Sequence, residues 1–484
     1  MLVAGGLLRG IGPNAVVAFL DRLSGNGLDD NYLYILKEID ILLILGGLGC
    51  LILVLILYFR KTFLQDVYQH VVSANRSTFL LLNLGLSTLI GILLIVSIPY
   101  EPWHDFEIYH QMAIDLANGE GVIIGEGGLA KAGEPSAFWP MGYSAFLAPF
   151  YALFGPSVPM AQGLNLVLRG ILCVATYYVA RHLTGENTAR FAFLMVSYFP
   201  SLLFHSLVTG YDLLLGALLA LLAYLLVVRR RLSWWRSALI GVLLGAGIYV
   251  RPVLLLFPLM IAIWFWFQSG KFWSSVMHVG IVIVVTVLIL MPWTLRNYRV
   301  FGDFVPVYTN GGRNLFIGNN PEASGGFDSR PLRTYAPEEA LDEVSRDRYF
   351  RNLAINYILE HPARFAFNAA KKVLHLYMRD DQGVSFATKV NYQTLPPVGL
   401  GLAILVSDGY YYLVLLLASW TVIDRLRGPR EIDSALLLPG IFILFFTFIY
   451  IVFFAMDHYH VPYLFAFSLL AASSLNRYLS DLRS

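Results

Sequence analysis

Long apolar stretches alternate with short polar ones between residues 41 and 480. They cover 41–59, 78–99, 160–183, 187–208, 211–228, 236–250, 252–268, 275–293, 398–423, 435–455 and 462–480. A helix needs about 20 apolar residues to cross the hydrocarbon core of a bilayer, and most of these stretches match that length. The pattern predicts an all-α polytopic membrane protein with about 11–13 transmembrane helices. The pair 236–250 and 252–268 breaks at Arg251-Pro252, where proline removes a helical donor. Residues 3–20 are apolar but carry Arg9 and Pro13, so they read either as a helix lying in the interface or as a poor span.

Two polar segments are too long to be plain connections. In the first, 100–159, Ile108–Leu116 reads as a short helix and Ser144–Phe154 as an apolar helix too short to span. The second, 294–397, opens on turn residues at Asn310-Gly311-Gly312 and Gly318-Asn319-Asn320-Pro321. From Pro337 to Tyr377 it has helical spacing, interrupted near His361-Pro362. The chain divides into an N-terminal segment with an extra span (1–77), a transmembrane core holding the first long loop (78–293), a loop domain (294–397) and C-terminal helices (398–484).

Composition agrees with a membrane setting. Hydrophobic residues make up 57% and charged residues only 14%, too few to cover a soluble chain of this length. The net charge of +2 gives no footprint for nucleic acid. Cys50 and Cys173 both lie in apolar stretches and imply no disulfide framework. Arginines and lysines follow every second apolar stretch: Arg60-Lys61, Arg181, Arg229 to Arg231, Arg425 with Arg427, and Arg477. Basic residues in short loops mark the cytoplasmic side. That assigns 100–159, 294–397 and 456–461 together to the extracytoplasmic face, in a bacterial inner membrane.

Charges near apolar segments are costly and point to function. On the predicted outer face these are Asp105, Glu107, Asp212, Arg251, Arg296, Arg299, His458 and His460. Carboxylates and cations converging at a membrane face suit an anionic lipid headgroup. Asp105 stands just past a span and is the candidate base. Arg251 is the first candidate for a phosphate-binding cation and Arg296 the second. Arg169, inside an apolar stretch, reads as a buried structural partner. No P-loop, dinucleotide fingerprint, H-E-x-x-H or serine elbow is present.

A series of short motifs resembles the GT-C glycosyltransferases, in the branch of the protein O-mannosyltransferases and lipid A aminoarabinose transferases. They are Asp105-Phe106-Glu107-Ile108-Tyr109, Trp139-Pro140-Met141-Gly142-Tyr143 leading to Leu153-Phe154-Gly155, Tyr178 to Gly185, Tyr211-Asp212, Arg251-Pro252, Pro292 to Tyr298, Thr309 to Gly312, and Ile317 to Pro321. The resemblance covers roughly 78–475. The sequence departs from it at Phe138, where the family often has lysine; the nearest lysine is Lys131. The resemblance implies a GT-C bundle and a polyprenyl-phosphate sugar donor. It also implies an acceptor hydroxyl on a glycan, lipid or protein, and inversion at the anomeric carbon. Asp105 would be the base. Glu107 would orient the acceptor or share a divalent cation, Mg or Mn, with Asp105. Tyr109, Tyr143, Asp212, Arg251, Arg296, His458 and His460 would bind donor phosphate or substrate. Two other readings stay open: a flippase for a lipid-linked sugar, and an O-antigen ligase or polymerase using Arg and His of 294–397.

Overall fold

The computed structural model describes residues 61–123, 134–228, 232–339, 341–388, 397–427 and 433–482. The predicted span 41–59, the segment 3–20 and Lys131 lie outside the described residues. The elements begin with α1 (Lys61–Ser73), α2 (Arg76–Ser97), α3 (Asp105–Ala117), α4 (Gly142–Phe154), α5 (Val158–Thr184), α6 (Glu186–Ser197) and α7 (Pro200–His205). Next come α8 (Asp212–Val227), α9 (Trp234–Val250), a 3-10 helix (Pro252–Leu256), α10 (Phe257–Ser269) and α11 (Phe272–Phe301). The second long loop holds α12 (Gly311–Gly318), α13 (Arg330–Thr334), α14 (Glu343–Glu360), α15 (Pro362–Tyr377) and α16 (Gln382–Thr388). The chain closes on α17 (Pro397–Arg427), α18 (Ser434–Val452), a 3-10 helix (Asp457–Tyr463) and α19 (Leu464–Asp481).

Among the described residues, six helical stretches are long and apolar enough to cross a membrane, and α4, α8 and α9 are shorter apolar helices. This is an integral membrane protein. The sequence pattern is met at most positions, with three differences. The stretch 187–208 is not one span: Pro200 opens a new short helix, and the chain then turns through 206–211. α11 does not stop at Pro292 but runs on to Phe301, so Arg296 and Arg299 are helical. Residues 311–318, read as turns, form a helix with two glycines in its first turn.

α5, α6, α8 and α19 form the buried centre. Arg169 crosses it, donating from Nη1 to the Ser197 carbonyl at 2.9 Å and from Nη2 to the Ser87 carbonyl at 2.8 Å. Those carbonyls offset the cost of a guanidinium among apolar helices. At one end of the bundle the two long loops interlock. Thr309 N donates to the Ala137 carbonyl at 3.0 Å, and Trp103 Nε1 donates to the Phe386 carbonyl at 3.2 Å. Glu343, in the first turn of α14, accepts from Ser136 Oγ, Ala137 N and Thr309 Oγ1. The loop contacts bring α3, α16 and the second 3-10 helix over the ends of α8 and α9.

Candidate active site at one end of the bundle

Arg251 occupies the break between α9 and the 3-10 helix that follows. Pro252 cannot donate, so α9 ends at Val250 and Arg251 takes an extended backbone, φ −145°. Its guanidinium lies 4.4 Å from the centre of the Tyr459 ring and 4.8 Å from that of Tyr211. The Tyr450 hydroxyl is within hydrogen-bonding reach. Burial pushes the Tyr459 and Tyr308 phenols up to about 12, against the pull of Arg251, so these rings stay neutral. They hold the cation through their faces and supply no counter-charge. Among the described residues Arg251 has no carboxylate at ion-pair distance, and its buried Nε has no hydrogen-bond partner.

Asp105 is the first residue of α3. His104 before it has φ 47°, a left-handed conformation rare for a residue with a side chain, and its ring packs edge-on against Trp103 at 5.1 Å. Strain of this kind persists where the surroundings impose it and gathers at functional sites. Asp105 lines a cleft: solvent reaches it, yet protein surrounds it. Burial pushes its carboxyl above the ordinary aspartate range, against the opposing pull of His104 and Arg251. Tyr109, one turn on, shares its helix face. Tyr109 is buried within electrostatic reach of Asp105, Arg251, Asp212 and Tyr459. Its ring meets Tyr143, Tyr211 and Trp139 edge to face at 6.2, 5.7 and 6.1 Å. Tyr143 donates to Asn165 Oδ1 at 3.2 Å, which ties the α3–α4 unit to α5.

Asp212 opens α8 and is buried. Its Oδ2 lies 3.9 Å from His205 Nε2, and Oδ1 has no partner. His458 is buried with Nδ1 unpartnered, and burial, then Arg251, holds its pKa well below the usual imidazole value. It is a neutral ring. His460 has both nitrogens committed: Nδ1–H donates to the Leu376 carbonyl at 2.7 Å, and Nε2 shares a proton with Asp380 at 3.1 Å. Asp457 beside it is pushed up to about 7 by burial, then by Asp381.

The structure therefore brings Asp105, Tyr109, Asp212, Arg251 and His458 into one chamber, with Tyr143 behind Tyr109 and His460 at its edge. Arg296 is engaged elsewhere. Its guanidinium donates to the carbonyls of Ser136 and Val122 and to Asn297, and lies 4.6 Å from the Trp293 ring. Glu107 is exposed, and two residues along a helix it projects about 200° away from Asp105. The pair does not form a chelate on one face. No group of three or more His, Cys, Asp and Glu that could hold a metal ion is present among the described residues.

Sequence reasoning missed His205, Asp380, Asp457 and the tyrosines around Arg251. His205 was hidden inside a stretch read as one span. The pair Asp380-Asp381 sat in a loop where charge is ordinary.

Residues 139–295 match the family described as dolichyl-phosphate-mannose-protein mannosyltransferase. The match bears out the resemblance to GT-C glycosyltransferases. It contains Tyr143, Asp212 and Arg251 and starts after Asp105. No curated protein matches the chain significantly. Among solved structures, the oligosaccharyltransferase AglB from Archaeoglobus fulgidus, in complex with an inhibitory peptide and a dolichol-phosphate, is similar with TM-score 0.48 and 11% identity. The match covers 83% of this chain and 50% of that one. The same archaeal enzyme with Zn and sulfate gives 0.46 and 11%, over 81% and 48%. ArnT from Cupriavidus metallidurans, bound to undecaprenyl phosphate, gives 0.42 and 12%, over 83% and 79%. The chain spans about half the length of the archaeal enzyme it matches.

Proposed function

We propose that this chain is a membrane glycosyltransferase that moves one sugar from a polyprenyl-phosphate donor to an acceptor hydroxyl, at the face predicted to be extracytoplasmic. The observation that carries the reading is Arg251: a guanidinium at the end of the bundle, caged by neutral rings, beside the Asp105 cleft and without a carboxylate at ion-pair distance. Such a cation calls for an anionic partner. The family match supplies the chemical class, a lipid phosphate carrying a sugar.

In this mechanism the acceptor oxygen attacks the anomeric carbon on the side opposite the phosphate. The bond from that carbon to the phosphate oxygen breaks, and polyprenyl phosphate leaves with the electron pair. Arg251 meets the charge that develops on it. Asp105 takes the acceptor proton; burial makes it a stronger base than an ordinary aspartate. Tyr109 and Tyr143 hold α3 against α4 so that Asp105 faces Arg251. Arg296 ties the first loop down and is not a phosphate ligand in this scheme, and His460 positions the 3-10 helix through Asp380. No step runs through a metal, because Asp105 and Glu107 do not share a face.

The ligase-type reading would draw its cations from 294–397. Lys372 there is buried and donates to Asn319 Oδ1 and the Ile451 carbonyl, which favours a structural role. Mass spectrometry of lipids that co-purify with the protein tests the proposal. A polyprenyl phosphate or its glycosylated form is expected, in amounts that Arg251→Met reduces. Recovery of bulk phospholipid alone, from both proteins, contradicts it.

A further inference from the structure

His205 and Asp212 face each other in the same chamber as Arg251, and both are almost fully buried, at 3% exposure each. His205 Nδ1 lies 2.8 Å from the Ser201 carbonyl, one turn back. A carbonyl only accepts, so Nδ1 carries a hydrogen there. Gly383 fixes the ring: a Cβ at that position would lie 2.6 Å from Nδ1 and 2.9 Å from Cε1. Nε2 is therefore aimed at Asp212 Oδ2, 3.9 Å away, and has no other partner among the described residues. A bare imidazole nitrogen and an ionised carboxylate would be two acceptors turned on each other in a dry site, which is costly. One proton on either of them removes the conflict. If it is on His205, the pair is imidazolium and carboxylate. If it is on Asp212, both are neutral. Either way the net charge of the pair is zero.

The consequence falls on Arg251. Asp212 is within electrostatic reach of Arg251 as well as of His205 and His460. Without His205 it would be the guanidinium's buried counter-ion. We propose that His205 is a positioning residue: its shared proton neutralises Asp212, so that the charge of Arg251 is left for the phosphate of the lipid donor. The proposal rests on the donor reading above and adds the residue that keeps the anion site positive. It also accounts for a buried carboxylate and a guanidinium that share one chamber without forming an ion pair.

The other charged groups around His205 do not replace it. His458 is neutral, His460 is engaged by Asp380, and Phe386 presents only a ring edge, 6.3 Å from the imidazole centre.

The test is titration of purified wild-type and variant protein with undecaprenyl phosphate, with melting temperature measured on the same samples. His205→Gln can still donate to Ser201 but brings no proton to Asp212, which is left ionised beside Arg251. An extra charge at that range should weaken undecaprenyl phosphate binding by about tenfold. Adding Asp212→Asn to His205→Gln should restore affinity to within about threefold of wild type, since the tenfold loss is the charge alone. Asp212→Asn by itself should bind as wild type does. A purely structural pair would lose melting temperature in each single variant, without rescue of affinity in the double. Wild-type affinity in His205→Gln, or a double variant that binds no better than His205→Gln, overturns the proposal and leaves the donor reading standing. A wild-type protein that does not bind undecaprenyl phosphate overturns both.

Discussion

The Arg251 guanidinium lies over the Tyr459 ring at 4.4 Å, which joins the break after α9 to the 3-10 helix before α19. Two segments about two hundred residues apart in sequence thus build one cation site. A cation on a neutral ring keeps its charge available, whereas a salt bridge would cancel it.

Replacing Arg251 with Met keeps the length of the side chain and removes the charge. Donor affinity should fall by about 1.5–3 kcal/mol, the usual size of a charge-assisted contact. Melting temperature should change little, because the lost contacts are to ring faces. Calorimetry and a thermal scan on one preparation separate the two effects. Unchanged donor affinity would move the phosphate elsewhere.

The rate should depend on pH through Asp105. A base works only when ionised, and burial raises this carboxyl above its ordinary 3.8. Activity is therefore present above the raised pKa and is lost as pH falls through it, so the acid limb of kcat/KM should lie above pH 3.8. Arg251 pulls that pKa down, so Arg251→Met should move the limb to higher pH. A profile with no acid limb in that range counts against Asp105 as the base.

Much of this was legible in the sequence. The break at Arg251-Pro252, the helix beside Asp105 and the interruption at His361-Pro362 all follow from proline and periodicity, and the structure has each. Arg296 was not legible, because the carbonyls that engage it come from residues 122 and 136, far away in the chain. His205 was not legible either. Hydropathy averages across a window, and one histidine next to Pro200 and Ser201 did not break the apolar run of 187–208.

Gly142 is expected to be sensitive to size. A Cβ there would lie 2.5 Å from Val250 N and 2.6 Å from Tyr249 C, both backbone atoms next to Arg251. Gly142→Ala should cost about 1–3 kcal/mol of stability as an overpacked contact, and should weaken donor binding by displacing Arg251. Gly163→Ala in α5 is the control, since nothing lies within 4 Å of its added carbon. Equal melting temperatures for the two variants would contradict the close packing of α4 on α9.

The side of the membrane can be read by labelling. Cysteines at Glu120 and Ser329 are exposed on the interlocked loops, and one at Arg427 lies toward the other end of α17. In intact cells an impermeant thiol reagent should label the first two and spare the third. Labelling of Glu120→Cys without Ser329→Cys would break the shared face on which the site depends.

The central claim is that Asp105 removes the acceptor proton while Arg251 holds the donor. The most direct measurement is single-turnover release of polyprenyl phosphate from labelled donor by Asp105→Asn, in membranes that carry the acceptor, with donor affinity measured alongside. Asparagine keeps the shape and cannot take the proton. Release should slow by about a hundredfold or more, within the usual contribution of a general base, while donor binding stays within a few-fold of wild type. Release at the wild-type rate, with the donor bound normally, would contradict the account.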